Sequence, residues 1–183
     1  QIMINELISI ILRSLKLDKT LYNNSKNFGE AAIYFASIIV IIAGLSSIIP
    51  QGIFIKTLAL NYNITNIEPA SITLALMGSL LGWFTLSLYI YVIGTKIFPS
   101  KKIKCSFKKI LTVVGFAQSP LIFRCFAVSS NLLLIVIMFT YVWYVFSLIV
   151  GINEVLNYKN KIKTFLIIFA PIILLFIFLL FNN

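Results

Sequence analysis

Arg124, Gln118, Ser119 and Tyr144 are the residues of this sequence whose types could do chemistry where they stand. All four fall in strongly apolar stretches, where a polar or charged group is costly unless a neighbour takes up its hydrogen bonds. An arginine in such a stretch can mark a functional site by lining a polar solute path, or send its guanidinium to the edge of the stretch on its flexible stem. Snorkelling is the expectation here, because Arg124 precedes Ser130 by about 9 Å of helix and so lies within reach of an interface. Thr140, Tyr144, Ser147, Gly151 and Glu154 recur at helical spacing and make one polar stripe, most simply a face packed on other helices.

Other chemistries lack carriers. Cys105 and Cys125 lie near opposite ends of one predicted helix and cannot meet as a disulfide, and the chain has no histidine. Two cysteines without histidine cannot supply a metal site of ordinary ligand count. No serine or cysteine has an evident base, and no two carboxylates sit at matching depths, so the sequence reads as non-enzymatic with no cofactor.

The elements that must position these residues follow from composition. Of 183 residues, 60% are hydrophobic and only 11% charged, which places the chain among integral membrane proteins. No polar stretch is long enough for a second, soluble domain. The expected fold is all-α: a bundle of five transmembrane helices over 30–183, preceded over 1–29 by an amphipathic helix and a polar connector. The spans are expected at 31–49, 71–93, 110–130, 132–152 and 164–181. Residues 3–17 put Ile4, Leu7, Ile8, Ile11 and Leu15 on one face, so this helix either lies in the membrane interface or packs against the end of the bundle. The first residues lack the basic and cleavable pattern of a signal peptide.

Two stretches carry packing signals. Gly78 and Gly82 form a GxxxG motif with Ala75 on the same side, and a contact inside the bundle is expected there rather than a dimer seam. Lys101, Lys102, Lys104, Lys108 and Lys109 lie in the loop before the third span, which then carries Gly115, Gln118, Ser119 and Pro120 into the membrane. Proline there removes a backbone donor and bends the helix, and Gln118 and Ser119 can supply the missing partners.

The formal charge of +10 belongs to topology rather than to nucleic acid, since no soluble basic module exists to carry the latter. All 15 basic residues except Lys56 and Arg124 fall on one predicted side. The basic face is therefore cytoplasmic and meets anionic lipid, the N-terminus is inside, and the C-terminus is outside. The Asn63-Ile-Thr65 sequon matters only in a secretory compartment and is read as chance.

Five spans, a Gly115-Phe116-x-x-x-Pro120 stretch and a Gly151-Ile152-x-Glu154-Val155 stretch leading to Lys163 together resemble the Yip family, the Ypt/Rab-GTPase-interacting membrane proteins and their bacterial relatives. The resemblance covers nearly the whole chain. It implies a five-helix membrane domain and a role in organising membranes or recruiting proteins, as in membrane trafficking. Eukaryotic members usually carry a longer hydrophilic N-terminal region with an Asp-Leu-Tyr-Gly-Pro motif, which this chain lacks, so a prokaryotic-type member in a bacterial inner membrane is expected. The functional expectation is a scaffold that binds lipid and protein partners or a second copy of itself. The alternative is a small-solute transporter or channel subunit that uses the polar residues of the third and fourth spans.

Overall fold

A computed structural model describes residues 2–24, 31–50, 69–98, 105–158 and 162–170. Within them the chain is helical. The elements are α1 (Ile2–Leu15), α2 (Lys19–Asn24), α3 (Ala31–Ser46), α4 (Pro69–Val92), α5 (Phe107–Ala117), α6 (Ser130–Leu156) and α7 (162–170). A π-helical turn, Ile93–Ile97, extends α4, and a 3-10 helix, Ser119–Phe126, extends α5. Among the described residues, four stretches are long and apolar enough to cross a membrane: Ala31–Pro50, Ile72–Ile97, Phe107–Phe126 and Ser130–Leu156. They match the first four expected spans to within a few residues. α7 opens where the fifth was expected, and the rest of that span lies outside the described residues, as do Lys101, Lys102 and Lys104.

α3, α4, α5 and α6 pack together around Ala36, Ile39, Val40, Trp83, Val113 and Phe116. Small residues set the closest approaches. A methyl group added at Gly115 would come within 2.7 Å of the Ala36 Cβ and 3.2 Å of both the Ala36 Cα and the Trp83 Nε1. α5 therefore lies nearly backbone to backbone on α3, the geometry that glycine permits in apolar helix pairs. The Trp83 indole donates to the Leu111 carbonyl at 2.8 Å and so ties α4 to α5 beside that contact.

The helix ends show why the chain turns where it does. At α6 the Ser129 hydroxyl accepts from the Leu132 amide, and Asn157 closes the other end in the left-handed region at φ 50°. Asparagine tolerates that conformation, and the Tyr158 amide reaches back to the Asn153 carbonyl in a Schellman pattern. α1 closes in the same way. Leu17 sits at φ 55°, and the Asp18 amide bonds the Arg13 carbonyl at 3.0 Å. Leucine there costs about 1–2 kcal/mol more than glycine would. The turn sends the chain back into α2, so that α1 and α2 form a short helical hairpin.

That hairpin divides the apolar face of the first helix. Ile4 and Ile8 are exposed, whereas Leu7 and Ile11 pack against the core, and Ile10 and Ser14 beside them are buried. The hairpin docks along α6: the Trp143 indole donates to the Leu15 carbonyl at 3.1 Å, and Asn23 meets Glu154 at 3.3 Å.

The turn itself is held by Asp18. Its carboxylate accepts from the Thr20 hydroxyl and amide and pairs with Arg13 at 2.8 Å. The Thr20 hydroxyl first, and the Arg13 guanidinium second, hold the Asp18 carboxyl down at about 2. A depressed carboxyl contributes stability above its unfolded value of about 4, and that contribution disappears as pH falls toward 2. Trp143 fluorescence, a reporter of the docked hairpin, should hold steady above about pH 5 and shift between about pH 4 and 2. Asp18→Asn should show the shifted signal already at neutral pH. The energetic effect is small because the pair is solvent-facing.

Candidate functional site

The polar chemistry of the bundle begins at Pro120. Proline has no amide hydrogen, so the Phe116 carbonyl, four residues earlier, loses its helical donor. α5 accordingly stops at Ala117, Gln118 turns, and the chain continues as the tighter 3-10 helix. An unmet carbonyl in an apolar core would cost roughly 1–3 kcal/mol. Two hydroxyls meet it: Ser119 donates to the Phe116 oxygen at 2.7 Å, and Ser14, from α1, donates to the same oxygen at 2.7 Å.

Ser14 is the end of a chain of hydroxyls. Its Oγ lies 3.2 Å from the Ser147 Oγ and 3.2 Å from the Tyr22 hydroxyl, and Tyr22 and Ser147 are 2.7 Å apart. A consistent ordering runs Tyr22 to Ser147 to Ser14 to the Phe116 carbonyl, each hydroxyl donating once. Ser14, Ser147 and Ser119 are fully buried, as is Tyr22. Burial pushes the Tyr22 phenol above its usual range, so it remains a neutral donor. No acid, base or metal-binding group takes part. The cluster does structural chemistry: it closes the break made by Pro120 with residues from α1, α2 and α6. Ser147 lies about 13 Å along α6 from Leu156, so the hairpin reaches well into the depth of a span.

Gly151 sits one turn beyond Ser147. A methyl there would come within 2.6 Å of the Val113 Cγ1 and 3.0 Å of the Tyr22 ring. The two stretches that carry the family resemblance, at Gly115–Pro120 and Gly151–Val155, are therefore neighbours. Gly115 admits α3, Pro120 exposes a carbonyl, and Gly151 admits the Tyr22 ring that helps satisfy it.

A family model for the Yip1 domain matches residues 18–181. The chain belongs to the Yip1 domain family. No curated protein and no solved structure matches it. Yip1 membership and the apolar helices make this a multi-pass integral membrane protein. The Yip1 match begins at Asp18 and so takes in α2 and its Tyr22.

The remaining sequence-derived residues of this Yip1 domain separate into distinct places. Gly78 and Gly82 are a correction: a side chain added at either meets nothing within 4 Å, so the expected contact inside the bundle is not made among the described residues. α4 uses Trp83 and Ser79 for its contacts instead, and among the described residues nothing packs on the GxxxG motif. Lys108 and Lys109 lie in the first turn of α5, with Lys108 exposed. Gln118 is buried at the end of α5. Thr140, Ser147 and Gly151 of the polar stripe are buried, and Tyr144 packs against the core.

Arg124 lies with its guanidinium over the Tyr141 ring of α6, 4.3 Å from the centroid. Tyr141 is about 16 Å along α6 from Ser130. Next to it, Phe123 stacks on Trp143 with centroids 6.0 Å apart, which fixes the 3-10 helix against α6. The Arg124 Nε is buried without an acceptor. A cation–π contact contributes about 0.5–2 kcal/mol, whereas an arginine charge in a span costs at least about 2.5–3.5 kcal/mol. The ring does not by itself offset the charge.

Sequence reasoning missed Ser14 and Tyr22. The signal was available in part: Ser14 is the polar residue on the face of α1 that also carries Leu7, Ile10 and Ile11. What linked it to Phe116 was tertiary.

Proposed function

We propose that this Yip1-family protein is a non-enzymatic membrane scaffold that organises lipid and recruits partner proteins or a second copy of itself, in a role like that of membrane trafficking. The observation that carries the reading is the use of its buried polar groups. Tyr22, Ser147, Ser14 and Ser119 end on one another and on a main-chain carbonyl, which fixes a rigid bundle. A solute path would need such groups facing a common lumen. The faces left for partners are then the GxxxG surface of α4 and the basic segment around Lys101–Lys109, which suits anionic lipid.

The test is purification of the tagged protein in mild detergent, with mass spectrometry of the proteins and lipids retained. Enrichment of anionic lipid that falls when Lys101, Lys102, Lys104, Lys108 and Lys109 are changed to Gln, together with specific proteins, is the expected result. Solute uptake into proteoliposomes would displace the scaffold reading.

The orientation that goes with it is a cytoplasmic N-terminus and an outer C-terminus in a bacterial inner membrane, with a fifth span ending near Phe181. Single cysteines at Ser100 and Asn160 should react only from the cytoplasmic side, and those at Thr57 and Asn183 only from outside. Labelling at Asn183 from the cytoplasm would remove the fifth crossing.

A further inference from the structure

Arg124 carries a permanent charge within a membrane-spanning stretch, and no carboxylate answers it among the described residues. The ionisable groups that face it are Tyr141 and Tyr144, both phenols. Asp18 is committed to Arg13, and Glu154 is bonded to Asn23. The side chain is half-buried, not sealed off. Among the described residues the same two elements expose apolar side chains beside Arg124 and Tyr141 in sequence: Phe126 is 60% exposed, Met138 59%, Tyr141 47% and Val142 53%. On a transmembrane helix such a surface faces acyl chains.

We propose that Arg124, backed by the Tyr141 ring, is a binding site for the phosphate of an anionic phospholipid on the face formed by the 3-10 helix and α6. A guanidinium matches phosphate oxygens in charge and in its planar donor geometry. The tyrosine ring covers one face of the guanidinium and its hydroxyl bonds the group, holding it in place, while the buried Nε is left without an acceptor among the described residues. The open apolar surroundings favour a lipid over a soluble anion, since a lipid brings acyl chains that cover Phe126, Met138 and Val142, whereas a free ion would have to enter without them. This site is separate from the lysine-rich segment and does not depend on whether the protein recruits other proteins.

The probe is a set of phosphatidylcholine vesicles containing phosphatidylglycerol, into which the purified full-length protein is reconstituted. Lipid retained after re-extraction is measured by native mass spectrometry. Wild type should retain phosphatidylglycerol, and Arg124→Gln should lower its apparent affinity by about tenfold or more, the scale of a lost charge-assisted hydrogen bond. Arg124→Lys should recover only part of it, because an ammonium lacks the planar fork. Tyr141→Leu, an exposed position whose replacement leaves the core untouched, should weaken binding with Arg124 in place. Equal retention by wild type and a folded Arg124→Gln protein overturns the proposal. So does displacement of the lipid by inorganic phosphate at comparable concentration, which would make this a soluble-anion site. A gain in stability of Arg124→Gln with no lipid difference would mark the charge as an unliganded liability and overturn it as well.

Discussion

Gly115→Leu should collapse the bundle, with a loss of about 3 kcal/mol or more in a detergent-unfolding curve, while Gly78→Leu and Gly82→Leu leave the same curve within about 0.5 kcal/mol. The contrast rests on what each new side chain meets. At Gly115 even the first carbon runs into the Ala36 Cβ and Cα and the Trp83 indole nitrogen. The obstacle is partly main chain, so it cannot be relieved by a rotamer change, and α3 and α5 must separate. Separation also stretches the Trp83 bond to Leu111. At Gly78 and Gly82 a leucine projects into open space beside exposed Leu74, Met77 and Leu81. Gly115→Ala should fall between: its single methyl already meets the Ala36 Cβ at 2.7 Å and forces α3 to shift, but by less than a leucine does. Destabilisation by Gly78→Leu in a dilute, monomeric sample would place a neighbour against α4 and return the GxxxG motif to the interior.

Ser147→Ala should cost about 1–3 kcal/mol, with Tyr22→Phe similar and the pair clearly less than the sum. Ser147 holds the centre of the hydroxyl chain, 2.7 Å from Tyr22 and 3.2 Å from Ser14. Its removal takes away the shortest contact of the Tyr22 hydroxyl and leaves the longer one to Ser14. When both are replaced, the weakened donor disappears too, so the double variant recovers part of the loss. Ser14→Ala should be milder, since Ser119 still donates to the Phe116 carbonyl. Additive losses measured by chemical unfolding would mean that the hydroxyls do not form one network. In membranes such bonds have averaged nearer the low end of this range.

The main spans were legible because twenty or so apolar residues between polar loops admit one solution in a bilayer. The break at Pro120 was legible for the same reason: the missing donor is a property of the residue, and Ser119 is near enough in sequence to answer it. The partner supplied by Ser14 was not legible. It depends on α1 turning at Leu17 and lying beside α6, and a Schellman turn with leucine in the left-handed position leaves no glycine as a sign. Which part of the α1 face packs was not legible either: its apolar residues nearly encircle it, so periodicity alone could not choose between Ile8 and Ile10. The glycine pairs were ranked by motif, and motif does not know which side of a helix has a neighbour. Gly115, in no GxxxG, is the tight contact, while Gly78 and Gly82 are open. Arg124 was placed by its distance from a span end, which ignores that an aromatic ring on the next helix can hold a guanidinium.

The docked hairpin also has a bearing on biogenesis. Ser14 is synthesised 133 residues before Ser147, the group it must find. At ribosomal rates of about 5–20 residues per second, that separation lasts roughly 7 to 27 s. Through that interval the spans pass one after another into the bilayer while the first helix waits with Ile10 and Ser14 unpartnered. Its remaining apolar stripe, Ile4, Ile8 and Leu12, gives it a place to rest on the lipid surface until α6 has been inserted. α1 is thus made long before α6 and yet is seated only after it. Slowing insertion of α6, rather than weakening α1 itself, should be the surest way to leave the N-terminal hairpin open to protease.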